Sequence, residues 1–434
     1  LLDFIATAVP PGSPDVVPGP PLSKLNLRNS GIGSNGWAIG KSRSATGRGM
    51  VLANPHFPWV DELRLWESQV TIPDKVNLYG VSLMGVPGAN IGFNEHVAWT
   101  HTFSIAQRFA IYTLELAPGD PTSYLYDGEP RKMTSETFSI AVKQPDGSTQ
   151  PYTQTIWYSH YGPIINALGF GWSNNLAVTY RDANLTNFQL IEQFLGMGMA
   201  QNMTEFQGVF TDVKGMPWAH TMAADNEGNA WYIDAAATPN LSQSALDTWV
   251  AALDEAGLPK LIWDEAGIMV LDGSNSANEW IDDPEAREPG LVPPSGAPQL
   301  SRDDYVFNAN DSHWLANPNA PLEGYSPAQG FERVPQSIRT RSNIAVLSGT
   351  GPGTAAGEDG VFTLKELQEG LFGNRGLATE LAFDAVLQRC QNTEPLMHKG
   401  RLIDLQPACE ILAAWDRTYN IDSVGATIWR EFMG

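Results

Sequence analysis

The amino-acid sequence predicts an α+β fold. Short runs of alternating or continuous apolar residues, separated by turn residues, fill the stretch from Ser34 to about residue 182 and return after residue 217, and such runs are typical of strands. After Gly360 the apolar residues recur with a helical period. Strands followed by helices indicate separate layers of sheet and helix. With 42% hydrophobic and 17% charged residues among 434, the chain has the composition of a folded globular protein.

The net charge argues against two classes of partner. The chain carries 26 basic and 48 acidic residues, which gives a formal net charge of −22. Nucleic-acid binding needs a basic surface to meet the phosphates, and anionic membranes likewise attract basic segments. No apolar run approaches the roughly 18–20 residues that span a bilayer. We therefore expect neither nucleic acid nor a membrane as a partner.

Residues 1–33 have the composition of a linker. A short helical pattern, LLDFIATAV, is followed by a cluster of prolines at 10, 11, 14, 18, 20 and 21. Proline lacks the N–H that a sheet needs and fixes φ, so this density favours an exposed, irregular segment. The chain begins without Met or a signal-like segment and ends at Gly434 without a terminal signal. We expect it to be a fragment or a processed piece.

Periodicity and turn residues place the elements in order. We predict strands at 36–40, 49–54, 65–72, 78–84, 97–102 and 108–116, a hairpin of 138–142 and 153–158, and strands at 218–224, 230–234 and 304–310. Residues 184–214 are predicted to be helical, with an apolar stripe of Phe188, Leu190, Ile191, Phe194 and Leu195. Asn202 with Glu205, and Thr363 with Glu366, have capping-box spacing. We expect 241–300 to be loop-rich with a short helix at 245–253, and helices at 378–389 and 407–415.

The chain has two cysteines, Cys390 and Cys409, and their spacing fits no zinc pattern. A single disulfide is the preferred interpretation, and it would suit an extracytoplasmic protein. Two unrelated buried thiols are the alternative.

The stretch Gly33-Ser34-Asn35-Gly36-Trp37-Ala38-Ile39-Gly40 joins the linker to the first predicted strand. If the bond between Gly33 and Ser34 is cut, Ser34 gains a free α-amino group beside its hydroxyl. A hydroxyl with an adjacent amine is a minimal nucleophile and base, and a free α-amine has a pKa of roughly 7.7–8.0. The alternative is an ordinary Gly-Ser turn that opens a strand.

Four further stretches place polar and aromatic side chains at the ends of predicted strands. They are Ala53-Asn-Pro-His56-Phe57-Pro-Trp59, Ala98-Trp-Thr-His-Thr102-Phe103, Asn308-Ala-Asn310-Asp-Ser312-His-Trp314, and the arginine-bearing Ser337-Ile-Arg339-Thr-Arg341. With Ser34-Asn-Gly-Trp and Phe372-Gly-Asn-Arg375, their order and spacing resemble the penicillin-acylase family of N-terminal-nucleophile hydrolases. Within that family they resemble the branch of aculeacin A and acyl-homoserine-lactone acylases. The resemblance runs from about Gly33 to the end of the chain.

The resemblance implies a four-layer αββα sandwich with an added helical region at about 360–434. It implies cleavage between Gly33 and Ser34, so that residues 1–33 end the α chain or form a spacer and 34–434 form a β chain that ends early. It further implies a heterodimer with an α chain from the same precursor, secreted or periplasmic. Members that bind calcium carry acidic residues where this chain has Gln107-Arg108-Phe109, so we expect no metal, and no cofactor is implied.

The resemblance also assigns roles to single residues. Ser34 is the nucleophile and its freed amine is the base, while His56 orients that amine or relays its proton. The N–H of Phe103 and the side-chain amide of Asn310 form the oxyanion hole. Arg339 supports the amine and Asn310, although Arg341 or Arg333 is an alternative for this position.

The activity that the resemblance implies is hydrolysis of an amide between a medium or long fatty acyl chain and a polar head group, such as a homoserine lactone or a cyclic lipopeptide. Candidates for the acyl pocket are Phe57, Trp59, Met84, Val86 and Trp218, each of which could instead pack in the core. Two alternatives stay open: a β-lactam acylase, and a secreted non-catalytic binding protein on the same scaffold.

Overall fold

The structure, a computed structural model, describes residues 2–13, 18–21, 32–61, 63–167 and 171–433. These residues contain twenty strands and ten α-helices. The strands are β1 Gly33–Ile39, β2 Met50–His56, β3 Leu65–Ile72, β4 Val76–Leu83, β5 Ile91–Phe93, β6 Val97–Phe103, β7 Phe109–Ala117, β8 Asp120–Tyr126, β9 Glu129–Lys132, β10 Thr134–Lys143, β11 Thr149–Tyr158, β12 Ile164–Ile165, β13 Leu176–Asp182, β14 Ala219–Asp225, β15 Ala230–Asp234, β16 Met269–Asp272, β17 Gln299–Arg302, β18 Tyr305–Asn308, β19 Leu396–His398 and β20 Arg401–Ile403. The helices are α1 Leu2–Ala6, α2 Leu190–Met199, α3 Met203–Asp212, α4 Gln243–Ala252, α5 Leu258–Ala266, α6 Ile338–Ser348, α7 Leu364–Phe372, α8 Leu377–Gln391, α9 Gln406–Ala413 and α10 Ala426–Met433.

Two sheets stack face to face at the centre. One has the order β18-β1-β2, and the other has the order β17-β15-β14-β6-β5-β4-β3. Successive side chains of a strand point to opposite faces, and β1 shows this clearly. Ala38 packs with Met222 and Val306 between the sheets, whereas Trp37 and Ile39 belong to a separate core on the other face. A Cβ at Gly36, on the same face of β1, would clash with the Met222 side chain, so the glycine lets the sheets approach.

A helical layer covers the outer face of each central sheet. Leu347 of α6 and Leu367 of α7 pack against the three-stranded sheet. Phe194 of α2 and Phe206 of α3 pack against Trp99 on the seven-stranded sheet. The order of layers is therefore helix, sheet, sheet, helix, and the expected αββα architecture is confirmed.

Residues 241–300 contain more structure than the sequence predicts. They include helix α5 and strand β16, which pairs in parallel with β7 in a second large sheet of order β12-β13-β7-β8-β9. The region is rich in loops and the predicted helix is present as α4, but the prediction missed α5 and β16. Strand β16 is only four residues long, three of them apolar, and the period of so short a run cannot be determined.

The predicted apolar stripe of the 184–214 helix is also partly wrong. Helix α2 begins at Leu190, so Phe188 precedes it and is 85% exposed, and Ile191 and Leu195 also face outward. The buried face of α2 is formed by Gln193, Phe194 and Met197. The predicted caps are present: the Asn202 side chain accepts the Glu205 N–H, and Thr363 and Glu366 form a capping box.

The region after Gly360 is helical, with one insertion. A hairpin of β19 and β20 lies between α8 and α9, where the sequence predicts no strand. Cys390 of α8 and Cys409 of α9 are joined by a disulfide, in agreement with the preferred interpretation. In the described ranges, no helix has both the length and the apolar character that crossing a membrane requires.

Candidate active site

Ser34 lies at an open edge of strand β1. Strand β18 pairs with β1 only from Gly36, opposite Asn308, onward, so the N–H of Ser34 has no strand partner on that side. The side chain of Asn310 takes that place, and its Oδ1 accepts the Ser34 N–H at 2.6 Å. Ser34 is buried, and its hydroxyl donates to the carbonyl oxygen of Gly33 at 2.5 Å. The candidate nucleophile thus lies against the peptide bond that precedes it.

Asn310 is held in an unusual backbone conformation. Its φ is +66°, in the left-handed region that asparagine tolerates better than most residues. Its N–H donates to Asn308 Oδ1 at 2.7 Å, and its side-chain Nδ2 donates to the carbonyl of Phe103 at 2.9 Å. Nδ2 carries a second hydrogen, which is free to donate to another oxygen.

The backbone of Phe103 faces the same place. Phe103 lies opposite Ala219 in the β6–β14 pair, and the next residue, Ser104, donates its N–H to the carbonyl of Trp218. Hydrogen-bonded and non-hydrogen-bonded pairs alternate along an antiparallel ladder, so Phe103 belongs to a non-hydrogen-bonded pair. Its N–H and C=O therefore point away from β14, and its C=O accepts Asn310.

Arg339 contacts both partners of this edge. From α6, its Nη1 donates to the Ser34 carbonyl at 2.5 Å and to Asn35 Oδ1 at 3.0 Å, and its Nη2 donates to Asn310 Oδ1 at 2.8 Å. Burial lowers the pKa of Arg339 from its ordinary value, and nearby Asp311 opposes that shift. Of the three arginines considered, the structure brings this one to Ser34; Arg333 pairs with Glu323 and Arg341 is exposed.

His56 lies across from Gly33 in the β1–β2 pair. A Cβ at Gly33 would lie 3.1 Å from His56 Nδ1, so the imidazole borders the Gly33–Ser34 bond. Nε2 is 3.0 Å from Asn54 Oδ1, which can only accept, so the proton belongs on Nε2 and the Nδ1 lone pair faces Gly33. Burial, and then the charge of Arg339, lower the pKa of His56. The imidazole is therefore neutral at pH 7.

Beside Ser34 opens an apolar cavity of about 720 Å³, its open mouth included. Its walls come from β1, β3, β4, β5, β6, α2 and the segments after β2 and before β14. They include Ser34, Phe57, Leu65, Leu83, Val86, Ile91, His101, Phe103, Leu190, Phe194 and Trp218. Among the predicted pocket residues, Phe57, Val86 and Trp218 line it. Trp59 and Met84 do not: they lie in turns and are 92% and 49% exposed.

Several residues that contact the site were assigned no role from the sequence. Asn35 Oδ1 accepts from Arg339, and Asn35 Nδ2 donates to Asn54 Oδ1, the same oxygen that His56 contacts. Asn343 of α6 donates to Asn35 and to the Arg339 carbonyl. Asn35 and Asn54 lie inside the motifs quoted above, so the sequence could have identified them as site residues. Helix α6 was not predicted, so nothing pointed to Asn343.

Around one peptide bond the chain thus gathers a hydroxyl, a neutral imidazole, a guanidinium and two kinds of N–H donor. A nucleophile beside a base and preorganised donors is the equipment of acyl transfer. Among the described residues, no group of three or more His, Cys, Asp or Glu side chains is arranged to hold a metal ion.

Comparison with known proteins gives consistent results. The Penicillin amidase family model matches residues 4–434. The chain is 37% identical over 407 residues to "Acyl-homoserine lactone acylase PvdQ" of Pseudomonas fluorescens, covering 92% of this chain and 49% of that protein. It is 36% identical over 445 residues to "Aculeacin-A acylase" of Actinoplanes utahensis, covering 100% of this chain and 55% of that protein. The chain therefore spans about half the length of these curated relatives.

A solved structure matches the fold. The penicillin G acylase of Alcaligenes faecalis superposes with a TM-score of 0.63 at 18% identity, covering 90% of this chain and 60% of the other. At that identity the likeness concerns the architecture alone.

Proposed function

This chain belongs to the penicillin amidase family, and from that premise we propose that it hydrolyses the amide bond between a fatty acyl chain and a polar head group. The observation that carries the proposal is the position of Ser34, a buried serine beside the opening of an apolar cavity. Aliphatic and aromatic walls favour an acyl chain because burial of apolar surface stabilises the complex by about 25 cal/mol per Å². The proposed head group is a homoserine lactone or a cyclic lipopeptide.

Self-cleavage would precede this activity. The Ser34 hydroxyl, which donates a hydrogen bond to the Gly33 carbonyl oxygen, attacks the carbonyl carbon of Gly33. A C–O bond forms, the C–N bond to Ser34 breaks, and the hydroxyl proton moves to the departing nitrogen. Water then hydrolyses the ester, which leaves a Gly33 carboxylate and a free α-amine on Ser34. In this reading residues 1–33 end the α chain or form a spacer, and Ser34 begins the β chain.

The freed amine would then serve as base in hydrolysis of the substrate. It takes the proton of the Ser34 hydroxyl as that oxygen attacks the acyl carbon. It returns the proton to the nitrogen of the head group as the amide C–N bond breaks, which leaves an acyl ester on Ser34. Water, which gives a proton to the same amine, then attacks that ester, and the fatty acid leaves as Ser34 regains its hydroxyl proton. The developing oxyanion would be met by the N–H of Phe103 and by the second hydrogen of Asn310 Nδ2. A donor of this kind is worth roughly 3 kcal/mol in the transition state. Arg339, as a neighbouring cation, disfavours the ammonium form of the amine.

We place the mature protein outside the cytoplasm, secreted or periplasmic, as a heterodimer with an α chain from the same precursor. The disulfide between Cys390 and Cys409 supports this location, because such bonds persist in oxidising compartments.

A substrate panel tests the proposed function. The full-length protein is incubated with acyl-homoserine lactones of increasing chain length and with a penicillin, and release of the free amine is measured. Ser34→Ala is the control. We expect Ser34-dependent release that increases with acyl chain length. Release from the penicillin alone would show that the protein is a β-lactam acylase. Binding of acyl lactones without any release of amine would show that it is a non-catalytic binding protein.

A further inference from the structure

Behind the proposed oxyanion hole lies a group of buried polar side chains that the mechanism above does not use. Ser104, His220 and Asp234 are 1%, 0% and 2% exposed. They come from the end of β6, from β14 and from β15, neighbouring strands of the seven-stranded sheet. A buried carboxylate is costly unless donors satisfy it, so its presence here calls for an explanation.

Donors do surround the Asp234 carboxylate. Oδ2 accepts the Ser104 hydroxyl at 2.9 Å and lies 3.2 Å from His220 Nδ1, and Oδ1 accepts the Ala236 N–H at 3.3 Å. The hydroxyl of Tyr232 lies 2.8 Å from the same His220 nitrogen. Burial lowers the pKa of His220 to about 3 and raises the pKa of Asp234 to about 6. The histidine is therefore neutral at pH 7, and it adds no full positive charge beside the carboxylate.

Ser104 connects this group to Phe103. Its hydroxyl donates to Asp234 and accepts the Ala106 N–H at 3.0 Å, and its own N–H donates to the Trp218 carbonyl at 2.9 Å. The peptide unit between Phe103 and Ser104 carries the carbonyl that accepts Asn310 Nδ2. Fixing Ser104 therefore fixes the plane of that peptide and, through it, the orientation of the Asn310 amide.

A second contact fixes the other side of Phe103. The hydroxyl of Thr102 donates to Asn308 Oδ1 at 2.6 Å, and that oxygen also accepts the Asn310 N–H. The two proposed oxyanion donors are thus tied together through both neighbours of Phe103. The Thr102 contact lies between the two central sheets, whereas the Ser104 contact lies within the seven-stranded sheet.

We propose that Asp234, acting through Ser104, is a positioning residue for the oxyanion hole. Ser104, His220 and Asp234 do not line the cavity beside Ser34, so the role of the cluster is to hold the donors of Phe103 and Asn310 in place. Donor placement within about 0.5 Å decides how well an oxyanion is stabilised, and satisfied buried networks rigidify their surroundings. This inference rests on the proposed function.

The chain offers a matched control for the test. Ser159, in the other large sheet region, also has a buried hydroxyl that donates to a side-chain oxygen, Thr179 Oγ1 at 2.9 Å, and that accepts the N–H two residues on, from Tyr161 at 3.1 Å. Ser159→Ala therefore removes the same pair of hydrogen bonds as Ser104→Ala, away from the site. Both variants are made in the full-length protein, and rates are divided by the number of serines labelled with a covalent serine reagent.

We expect Ser104→Ala to lower kcat by roughly 10–100-fold with KM within about twofold, since a misplaced group near the chemistry costs about that much. Ser159→Ala should keep the wild-type kcat per active site. Asp234→Asn retains an oxygen that accepts from Ser104 and should recover most of the kcat that Asp234→Ala loses.

Equal kcat values for Ser104→Ala and Ser159→Ala, with an active wild type, would overturn this inference and leave the proposed function standing. A loss that appears in KM instead would make Ser104 part of substrate binding and would also overturn it. A wild type that releases no amine from any acylated substrate would overturn the proposed function, and the inference with it.

Discussion

At the residue scale, the side-chain amide of Asn310 both accepts and donates hydrogen bonds. Its oxygen accepts from Ser34 and from Arg339, while its nitrogen donates to the Phe103 carbonyl. One amide therefore aligns the proposed nucleophile with the proposed oxyanion hole. Asn310 follows the last residue of β18 by two positions, and its left-handed φ is one that asparagine tolerates better than most residues.

Replacement of Asn310 tests the oxyanion assignment. Asn310→Ala should lower kcat by roughly 10²–10³-fold with little change in KM, because the amide acts mainly on the transition state. Asn374→Ala is the control, since Asn374 also has a positive φ, of 46°, but lies far along the chain. A loss confined to KM would show that Asn310 binds the substrate.

His56 and the Ser34 amine predict different pH profiles. The pKa of His56 is lowered by burial and by Arg339, so His56 is neutral above its ordinary value of about 6.5. The acid limb of kcat/KM should then follow the amine, with activity lost as the pH falls through the pKa of the amine. In His56→Ala the limb should persist at a lower overall rate.

The control for this profile is His398→Ala, in the exposed strand β19. If the acid limb vanishes in His56→Ala while the rate at low pH is maintained, His56 is the titrating group and the amine is not the base.

At the scale of elements, the sequence predicted those parts of the site that lie on well-patterned strands. Ser34, His56, Phe103 and the start of the Asn310 turn lie on strands β1, β2, β6 and β18, respectively. The alternation of apolar residues allowed these strands to be predicted. Helix α6, which carries Arg339, was missed because its buried face, Thr340, Asn343 and Leu347, is mostly polar and so lacks an apolar helical period. Arg339 was identified from its sequence motif and not from a predicted helix.

The disulfide leads to a prediction about the stability of the C-terminal helices. It closes a loop of 19 residues between α8 and α9, and a loop of this length contributes about 3 kcal/mol by restricting the unfolded chain. Cys390→Ser with Cys409→Ser should therefore lower the free energy of unfolding of this region by about that amount, as followed by the fluorescence of buried Trp415 and Trp429. The catalytic rate should be unchanged at temperatures where the helices stay folded. An unaltered unfolding midpoint would contradict the prediction.

At the scale of the whole molecule, the layers bring together residues that are far apart in sequence. The apolar cavity beside Ser34 draws its walls from β1, β3, β4, β5, β6, α2 and the segments after β2 and before β14. Phe57, Val86 and Trp218 were identified as candidates, but Leu65, Leu190 and Phe194 were not, because an apolar residue in a single sequence reads the same whether it packs in a core or lines a cavity. For the same reason, Trp59 and Met84 were predicted to line the cavity, although neither does.

The central claim is that Ser34 becomes the first residue of a chain. The most direct measurement is intact mass and N-terminal sequencing of the active preparation, beside Ser34→Ala. We predict that the active protein contains a chain beginning Ser34-Asn35-Gly36, and that Ser34→Ala stays uncut between residues 33 and 34 and releases no amine from acylated substrates. A fully active preparation in which the Gly33–Ser34 bond is intact would contradict the account.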